Sequence, residues 1–352
     1  MNDRIVIHPE VLDACAERRP VVVLETAVLT HGLPRHPMPS PPRLVGDEGA
    51  AARTAREACW GAVRNPREWD GEAPLNLEVA RLIEATVRCR GAIPATVAVI
   101  AGALHVGVEP TALAELAAAG DSRKCSTREL GPVIAASESG GTTVAGTLAA
   151  MRAANRILRE KGLSPLEVFA TGGIGGVHRG WNETGDISSD IRALAETPAA
   201  VVSAGAKVIL DLDATLEALE THMVPVLGWR TDRFPMFTAQ APPDGRPLPS
   251  YSEMDRLAEA CRVHWDDLAR REGVLVANEI PTGMGLDPVE LERKVTSAIA
   301  EARSSGIEGA RVTPHLLARL AETTEGDALD SNITLICSNA SVAARLADLL
   351  CA

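Results

Sequence analysis

The chain has 352 residues, 46% hydrophobic, 23% charged and only 3% aromatic, with a formal net charge of −12. That composition belongs to a globular protein whose core is built from Ala, Val, Leu and Ile. Its acidity excludes a broad, sequence-independent nucleic-acid footprint, which needs basic charge; a phosphorylated small molecule is not excluded, because a few local cations or backbone amides can hold one.

Seven cysteines, odd in number and with no C-x-x-C pair, lead us to expect neither a disulfide framework nor a structural zinc site. Met1–Glu10 lacks an apolar segment of signal-peptide type, and no apolar run reaches bilayer length. A cytoplasmic protein with no membrane or nucleic-acid partner is the expectation.

In chain order, Pro20–Thr30 reads as a core strand interrupted by Glu25. Asn76 reads as the N-cap of a helix through Arg90, with Val79, Leu82, Ile83 and Val87 on one face and Gly91 ending it. Pro94–Ile100 is a second strand. Glu109–Ala119 and Thr142–Glu160 are helices. Glu167–Thr171, Ala199–Val202, Pro225–Leu227 and Val274–Ala277 are strands, and Ser252–Arg271, Pro288–Ala302, Pro314–Glu322 and Ala340–Leu350 carry helical patterns. Alternating strands and helices, with strands apolar on both faces, predict an α/β layered fold. Pro34–Asn76 is proline-rich at its start and polar afterwards. It reads as a surface insertion, or as a lid or subunit contact anchored by Trp60 and Trp69.

The chain has 35 basic residues but only four lysines: Lys124, Lys161, Lys207 and Lys294. Arginine forms no imine, so a lysine retained among apolar residues invites a chemical explanation. Lys207 is that lysine. It follows AVVSAGA, where an amine is poorly solvated and available to attack a carbonyl, or else snorkels to water from a strand–helix junction. Lys161 and Lys294 read as ordinary solvated side chains.

Glu25 interrupts an apolar strand and is either a general acid with a raised pKa or half of a structural ion pair. His31 and Gly32 follow where that strand should end, at the ligand-binding end of an α/β sheet.

Thr171–Gly180, TGGIGGVHRG, offers close backbone approach and successive N–H groups for an anion, with His178 and Arg179 adding acid–base and charge capacity. A purely structural glycine turn is the alternative. The run Asp186, Ser188, Ser189 and Asp190 puts two carboxylates on one side if helical, an oxygen-only set suited to Mn²⁺ or Mg²⁺; alternatively it caps a helix. Lys124–Leu130 and Gly140–Thr143 each offer phosphate donors, including the hydroxyl of Thr142.

Taken together and in order, these segments resemble the pseudouridine-5′-phosphate glycosidase family, with its indigoidine-synthase-A-like members. The most specific stretch is FATGGIGGVHRGWNETGDISSD (Phe169–Asp190). It is supported by AGAK around Gly205–Lys207, LETHMVPVLGW (Leu219–Trp229), LETAVLTHG (Leu24–Gly32), GAIPATVAVI (Gly91–Ile100) and TPHLLARLAE (Thr313–Glu322).

The resemblance implies a three-layer α/β/α sandwich around a mostly parallel or mixed sheet, in one catalytic domain over 1–352 with the insertion at about 35–75. It implies a homotrimer, one Mn²⁺ per subunit, and reversible cleavage of the C–C glycosidic bond of pseudouridine 5′-phosphate to uracil and ribose 5-phosphate. A C-glycosynthase joining ribose 5-phosphate to a different aglycone is the alternative. By position, Lys207 is similar to the family's Schiff-base lysine, Glu25 to its proton donor and Lys124 to its phosphate lysine. Val144 falls where the backbone meets substrate, Asp186 at the metal aspartate, and Ser188, Ser189 and Asp190 in the adjoining substrate loop. His178 and Asn278 match further active-site positions.

Three departures from the family pattern are Thr26-Ala27 in place of Ser-Thr, Asn278-Glu279-Ile280-Pro281 in place of Asn-Pro-Ile-Pro, and a single arginine, Arg128, in the phosphate-lysine segment.

Overall fold

The computed structural model describes residues 4–37, 72–242, 244–307, 315–316, 319–320 and 327–351. Among these residues one mixed sheet of eleven strands forms the middle layer, beside a two-stranded ribbon. The strands are β1 (Ile5–Ile7), β2 (Val21–Leu24), β3 (Ile93–Ile100), β4 (Ala103–Val106), β5 (Arg123–Cys125), β6 (Gly140–Thr142), β7 (Val168–Ala170), β8 (Val177–His178), β9 (Ala200–Ser203), β10 (Leu210–Asp211), β11 (Val226–Trp229), β12 (Ser250–Tyr251) and β13 (Val274–Asn278).

The order across the sheet is β1-β4-β3-β2-β7-β9-β13-β11-β12, with β6 also on β3, β5 on β6, and β10 on β8 as the ribbon. From β3 through β2, β7, β9, β13 and β11 to β12 all neighbours are parallel; antiparallel pairing enters at β3–β4 and β3–β6. Parallel strands point their C-terminal ends one way, so the residues just after β2, β7, β9 and β13 share one rim.

The central strands are buried on both faces, and their alternation sorts the core into two layers. Val21 and Val23 of β2, with Val201 of β9 and Leu275 of β13, join one cluster with the helices Pro9–Ala16, Val144–Glu160, Ser189–Ala195 and Pro288–Ser304. Val22 and Leu24, with Val202 and Val276, join the other, against the helices Leu75–Cys89, Met254–Arg262 and Asp327–Leu350. The expected three-layer α/β/α architecture is therefore present.

Several boundaries differ from expectation. β2 stops at Leu24, and the chain enters a π-helical turn at Val28–Gly32. Thr26 sets that break: its hydroxyl donates to the Val97 carbonyl at 2.6 Å and accepts from the Thr142 amide at 3.0 Å, which fixes the chain across two strands. The helix expected from Asn76 begins at Leu75, and the Asn76 side chain is buried, donating to the carbonyls of Leu29 and Ala117. Thr142 ends β6, and the helix that was expected to include it begins at Val144.

The final helix runs Asp327–Leu350 rather than from Ala340. Its mean hydropathy of 1.4 over an 18-residue window and its length would suffice to cross a bilayer, contrary to the expectation of no such run; two-thirds of that window is buried here, as in a core helix. Most of the expected Pro314–Glu322 helix lies outside the described residues. So do positions 38–71 of the insertion, including Trp60 and Trp69. Its described stems meet: Pro37 bridges Pro74, and the amides of Leu75 and Asn76 donate to His36 and Pro34.

Candidate active site

Glu25 and Thr171 are the first residues beyond two adjacent parallel strands, β2 and β7, whose last residues Leu24 and Ala170 are paired. The Thr171 hydroxyl donates to Oε1 of Glu25. Glu25 keeps some accessible surface, yet the desolvation of its carboxyl dominates and raises its pKa; Lys207, the Thr171 hydrogen bond and Lys124 oppose the rise, and Asp190 adds to it. Desolvation of this kind favours the protonated carboxyl, which suits an acid.

Lys207 lies four residues past β9, on the same rim. Gly205 delivers it there with φ +73°, and a Cβ at that glycine would sit 2.2 Å from the Pro235 carbonyl oxygen, so a side chain is excluded. The Lys207 amide donates to the Ile174 carbonyl at 3.1 Å, which binds it to the glycine-rich loop. The charge of Lys207 acts on Glu25, Lys124 and His178, so four residues scattered over more than 180 positions converge on one site.

Lys124 is exposed over much of its surface, but desolvation of its ammonium, followed by repulsion from Lys207, lowers its pKa, while Glu25, Asp190 and Glu129 act in the opposite direction. Three helix N-termini meet beside it: those of Thr127–Ala135, Val144–Glu160 and Ser189–Ala195. Their joining contacts are specific. Ser126 Oγ and Ser189 Oγ lie 2.9 Å apart, the Thr127 hydroxyl donates to Ala145 O, and the Thr143 amide donates to Cys125 O. Val144 is the first residue of the middle helix and is buried. The dipoles of converging N-termini add to the ammonium and favour an anion, although the Ala145, Gly146 and Asp190 amides are already spent on Asp190, Thr143 and Ser188. The sequence offered Lys124–Leu130 and Gly140–Thr143 as separate sets of phosphate donors; their meeting with the N-terminus of Ser189–Ala195 is visible only in the fold.

Two expectations are corrected here. Thr142 is fully buried, its hydroxyl donating to Val97 O and accepting from Thr147, and its amide donating to Thr26, so it is scaffold rather than a substrate ligand. The carboxylates of Asp186 and Asp190 do not share a helix face, because the helix begins only at Ser189, with Ser188 as its N-cap accepting from the Asp190 amide. The capping alternative is the one observed.

Asp190 is buried, and its two oxygens accept from the Ala145 amide at 2.9 Å and the Gly175 amide at 2.7 Å. Three more N–H groups of the glycine-rich loop are spent inside the protein: Ile174 on Gly205 O, Val177 on the Thr215 hydroxyl and His178 on Asp186 O. A Cβ at Gly175 would lie 2.4 Å from Ser188 Oγ, so packing rather than anion binding demands glycine there. Arg179 is held by Glu292 and by the carbonyls of Leu210 and Val208. It borders a cavity of about 610 Å³, also lined by Leu210, Phe234, Met236 and Pro288, that contains none of the candidate site residues.

His178 Nδ1 lies 3.8 Å from Asp186 Oδ2. Desolvation lowers the His178 pKa, Asp186 opposes the fall and Lys207 adds to it, so the net effect favours the neutral imidazole. Asp186 is half-exposed, Ser188 is partly buried and Ser189 exposed. Among the described residues no three His, Cys, Asp or Glu side chains gather as a metal cage.

Asn278 ends β13 and is buried. Its Nδ2 donates to Ser338 Oγ at 3.1 Å and to Asn339 Oδ1 at 2.8 Å. Glu279 does not stand free beside it, since its carboxylate accepts from the Ala241 amide at 2.6 Å. His31 closes the π-helical turn. Its pKa is lowered by desolvation, then by Lys124 and Arg35, so it lies beside Lys124. Sequence reasoning placed His31 at the ligand rim but missed Thr171 as the partner of Glu25 and missed Asn339 entirely.

An α/β/α sandwich with an amine, a buried acid and an anion cradle on one strand rim defines the class, and the relatives agree with it. The description "Indigoidine synthase A like protein" belongs to the family model that matches residues 70–349. The chain belongs to this family. It is 38% identical to a pseudouridine-5′-phosphate glycosidase of Alkaliphilus metalliredigens, over 96% of this chain and 94% of that one. A pseudouridine-5′-phosphate glycosidase of Methylobacterium nodulans is 40% identical over 96% and 86%. Among solved structures, the prealnumycin C-glycosynthase AlnA in complex with ribulose 5-phosphate superposes with a TM-score of 0.79 at 31% identity, covering 100% of this chain and 98% of AlnA. An indigoidine synthase A-like protein of Thermotoga maritima superposes at 0.74 with 28% identity, covering 99% and 97%.

Proposed function

We propose that this chain is an enzyme that reversibly cleaves pseudouridine 5′-phosphate to uracil and ribose 5-phosphate, with Lys207 as the covalent nucleophile. The observation that carries the reading is the electrostatic convergence of Lys207, Glu25, Lys124 and His178 on one rim. Relatives named pseudouridine-5′-phosphate glycosidase, similar over nearly the whole chain, support the substrate.

A C–C glycosidic bond has no heteroatom that leaves on simple protonation, so the carbon of the sugar must become an electron sink. The Lys207 amine adds to C1′ as the ring oxygen departs with the proton of Glu25. The ammonium so formed at Lys207 returns a proton to Glu25, which passes it to the base carbon; the C1′–C bond then breaks with its electron pair staying on the base, and the Lys207 lone pair forms the C1′=N bond. Water or the sugar's own hydroxyl then releases ribose 5-phosphate and the free amine. Lys124, with the helix N-termini around Ser126, Val144 and Ser188, holds the phosphate, and Asn278 meets the base.

The donor chemistry beside His178 fits a hard cation. Asp186, with the hydroxyls of Ser188 and Ser189, would hold a largely hydrated Mn²⁺, which supplies charge neutralisation near the phosphate when bound. A cytoplasmic homotrimer is the assembly and location we propose, on the family resemblance.

The test is borohydride reduction of the protein with ribose 5-phosphate, followed by peptide mass spectrometry. A sugar-phosphate adduct on Lys207 is expected, and an unlabelled Lys207 overturns the reading. The similarity to AlnA favours one second reading, C-glycoside synthesis with another aglycone. It predicts the same adduct but no ribose 5-phosphate released from pseudouridine 5′-phosphate.

A further inference from the structure

Two backbone carbonyls fix the hydrogen-bond polarity between the final helix and the strand rim. Asn339 is fully buried, and one end of its amide lies 2.7 Å from Thr171 O and 3.2 Å from Gly172 O. Both are carbonyl oxygens and can only accept, so that end is the nitrogen. The other end is then Oδ1, an acceptor, and it faces Asn278. The Asn278 atom 2.8 Å away must therefore be the donor, Nδ2, whose second hydrogen goes to Ser338 Oγ. Both donors of Asn278 are consumed, and Oδ1 is the part of its amide left for a ligand.

The same Asn339 nitrogen grips the backbone of Thr171, the residue whose hydroxyl donates to Glu25. One buried amide thus spans the ends of β7 and β13, across β9 between them.

We propose that Asn339 is a positioning residue for both halves of the reaction: it fixes Asn278 with the amide oxygen presented as an acceptor for an N–H of the departing base, and it anchors Thr171 against Glu25. The inference rests on the functional reading above and adds a recognition rule to it. The aglycone is a heterocycle that donates, such as an imide N–H, at the Asn278 edge. An aglycone offering only carbonyl oxygens there meets a second acceptor and is rejected, because an unpaired buried polar group costs more than a lost contact.

The experiment uses the full chain in wild-type form and as Asn339→Ala, Asn278→Ala and Thr171→Val. In the synthetic direction, with ribose 5-phosphate, rates are compared for uracil and for its 1-methyl and 3-methyl derivatives. In the cleavage direction, kcat and KM are followed against pH. Wild type should prefer uracil by tenfold or more over at least one methyl derivative. Asn278→Ala and Asn339→Ala should lose that preference. Thr171→Val and Asn339→Ala should displace the alkaline limb of the kcat profile upward, because the groups facing Glu25 are then Lys207, Lys124 and Asp190 without the Thr171 donor.

An Asn339→Ala protein with wild-type melting behaviour, unchanged preference and unchanged pH profile overturns the proposal. Should that variant fail to fold, Asn278→Ala and Thr171→Val test the two arms separately, and either arm left unmoved overturns it. A wild-type protein that releases no ribose 5-phosphate overturns the functional reading instead, which distinguishes the two failures.

Discussion

The hydroxyl of Thr171 donates to the carboxyl of Glu25 across the ends of two neighbouring parallel strands. The bond stabilises the ionised form of a carboxyl that burial otherwise drives toward the neutral form. Thr171→Val removes it and should raise the Glu25 pKa further. A proton donor works only while protonated, so the alkaline limb of the cleavage profile moves to higher pH. Thr171→Ser should restore the wild-type limb, which a pH–rate titration of both variants checks.

Glu25→Gln should separate activity from stability. The raised pKa means that the folded state holds this proton more tightly than the unfolded chain does, so the stability it contributes is fully present below the unfolded value of about 4.3 and is lost as pH rises through the folded value. A glutamine cannot ionise. The variant should melt higher than wild type at neutral and alkaline pH, with the gain vanishing in acid, while turnover falls by roughly 10²- to 10⁴-fold. Calorimetric melts at several pH values, with parallel assays, measure both.

Lys207→Arg keeps a positive charge and abolishes imine chemistry. Turnover should fall by at least about a thousandfold, the borohydride adduct should vanish, and the melting temperature should stay close to wild type. An arginine variant that still forms a reducible adduct would place the nucleophile elsewhere.

Lys124→Met should act on binding. Loss of one charge-assisted contact to phosphate costs about 1.5–3 kcal/mol, read as a rise in KM for the phosphorylated substrate with a smaller change in kcat. Unphosphorylated pseudouridine should not distinguish variant from wild type. Competition by inorganic phosphate should weaken in parallel.

Asp190→Asn tests the cradle itself. The carboxylate accepts from Ala145 and Gly175 at once, and an amide can accept only on its oxygen, leaving one buried N–H facing another donor. A loss of about 1–3 kcal/mol in stability is expected, visible as a lowered melting temperature, together with weaker phosphate competition because the N-terminus of Val144–Glu160 is no longer pinned to the glycine-rich loop.

The sequence by itself determined the layered class, since doubly apolar strands alternating with helices leave few other solutions, and it singled out the candidate chemical groups. The scarcity of lysine marked Lys207, the interrupted strand marked Glu25, and the ordered motifs linked them to Lys124 and His178. The C-terminal helix was underestimated because its buried polar residues break the apolar period: Ser331 donates to Met284 O, and Ser338 and Asn339 bond Asn278. Those residues were illegible for the reason that makes them useful, since a buried amide is specified by partners 61 and 168 positions away. Local patterning likewise suggested that the glycines of Thr171–Gly180 bind an anion and that Thr142 touches substrate. Tertiary packing spends the Ile174, Gly175 and Val177 amides on Gly205, Asp190 and Thr215, buries the Thr142 hydroxyl, and brings three helix N-termini together beside Lys124. Which donors remain free for a ligand is a property of the whole hydrogen-bond inventory, and no local stretch of sequence contains it.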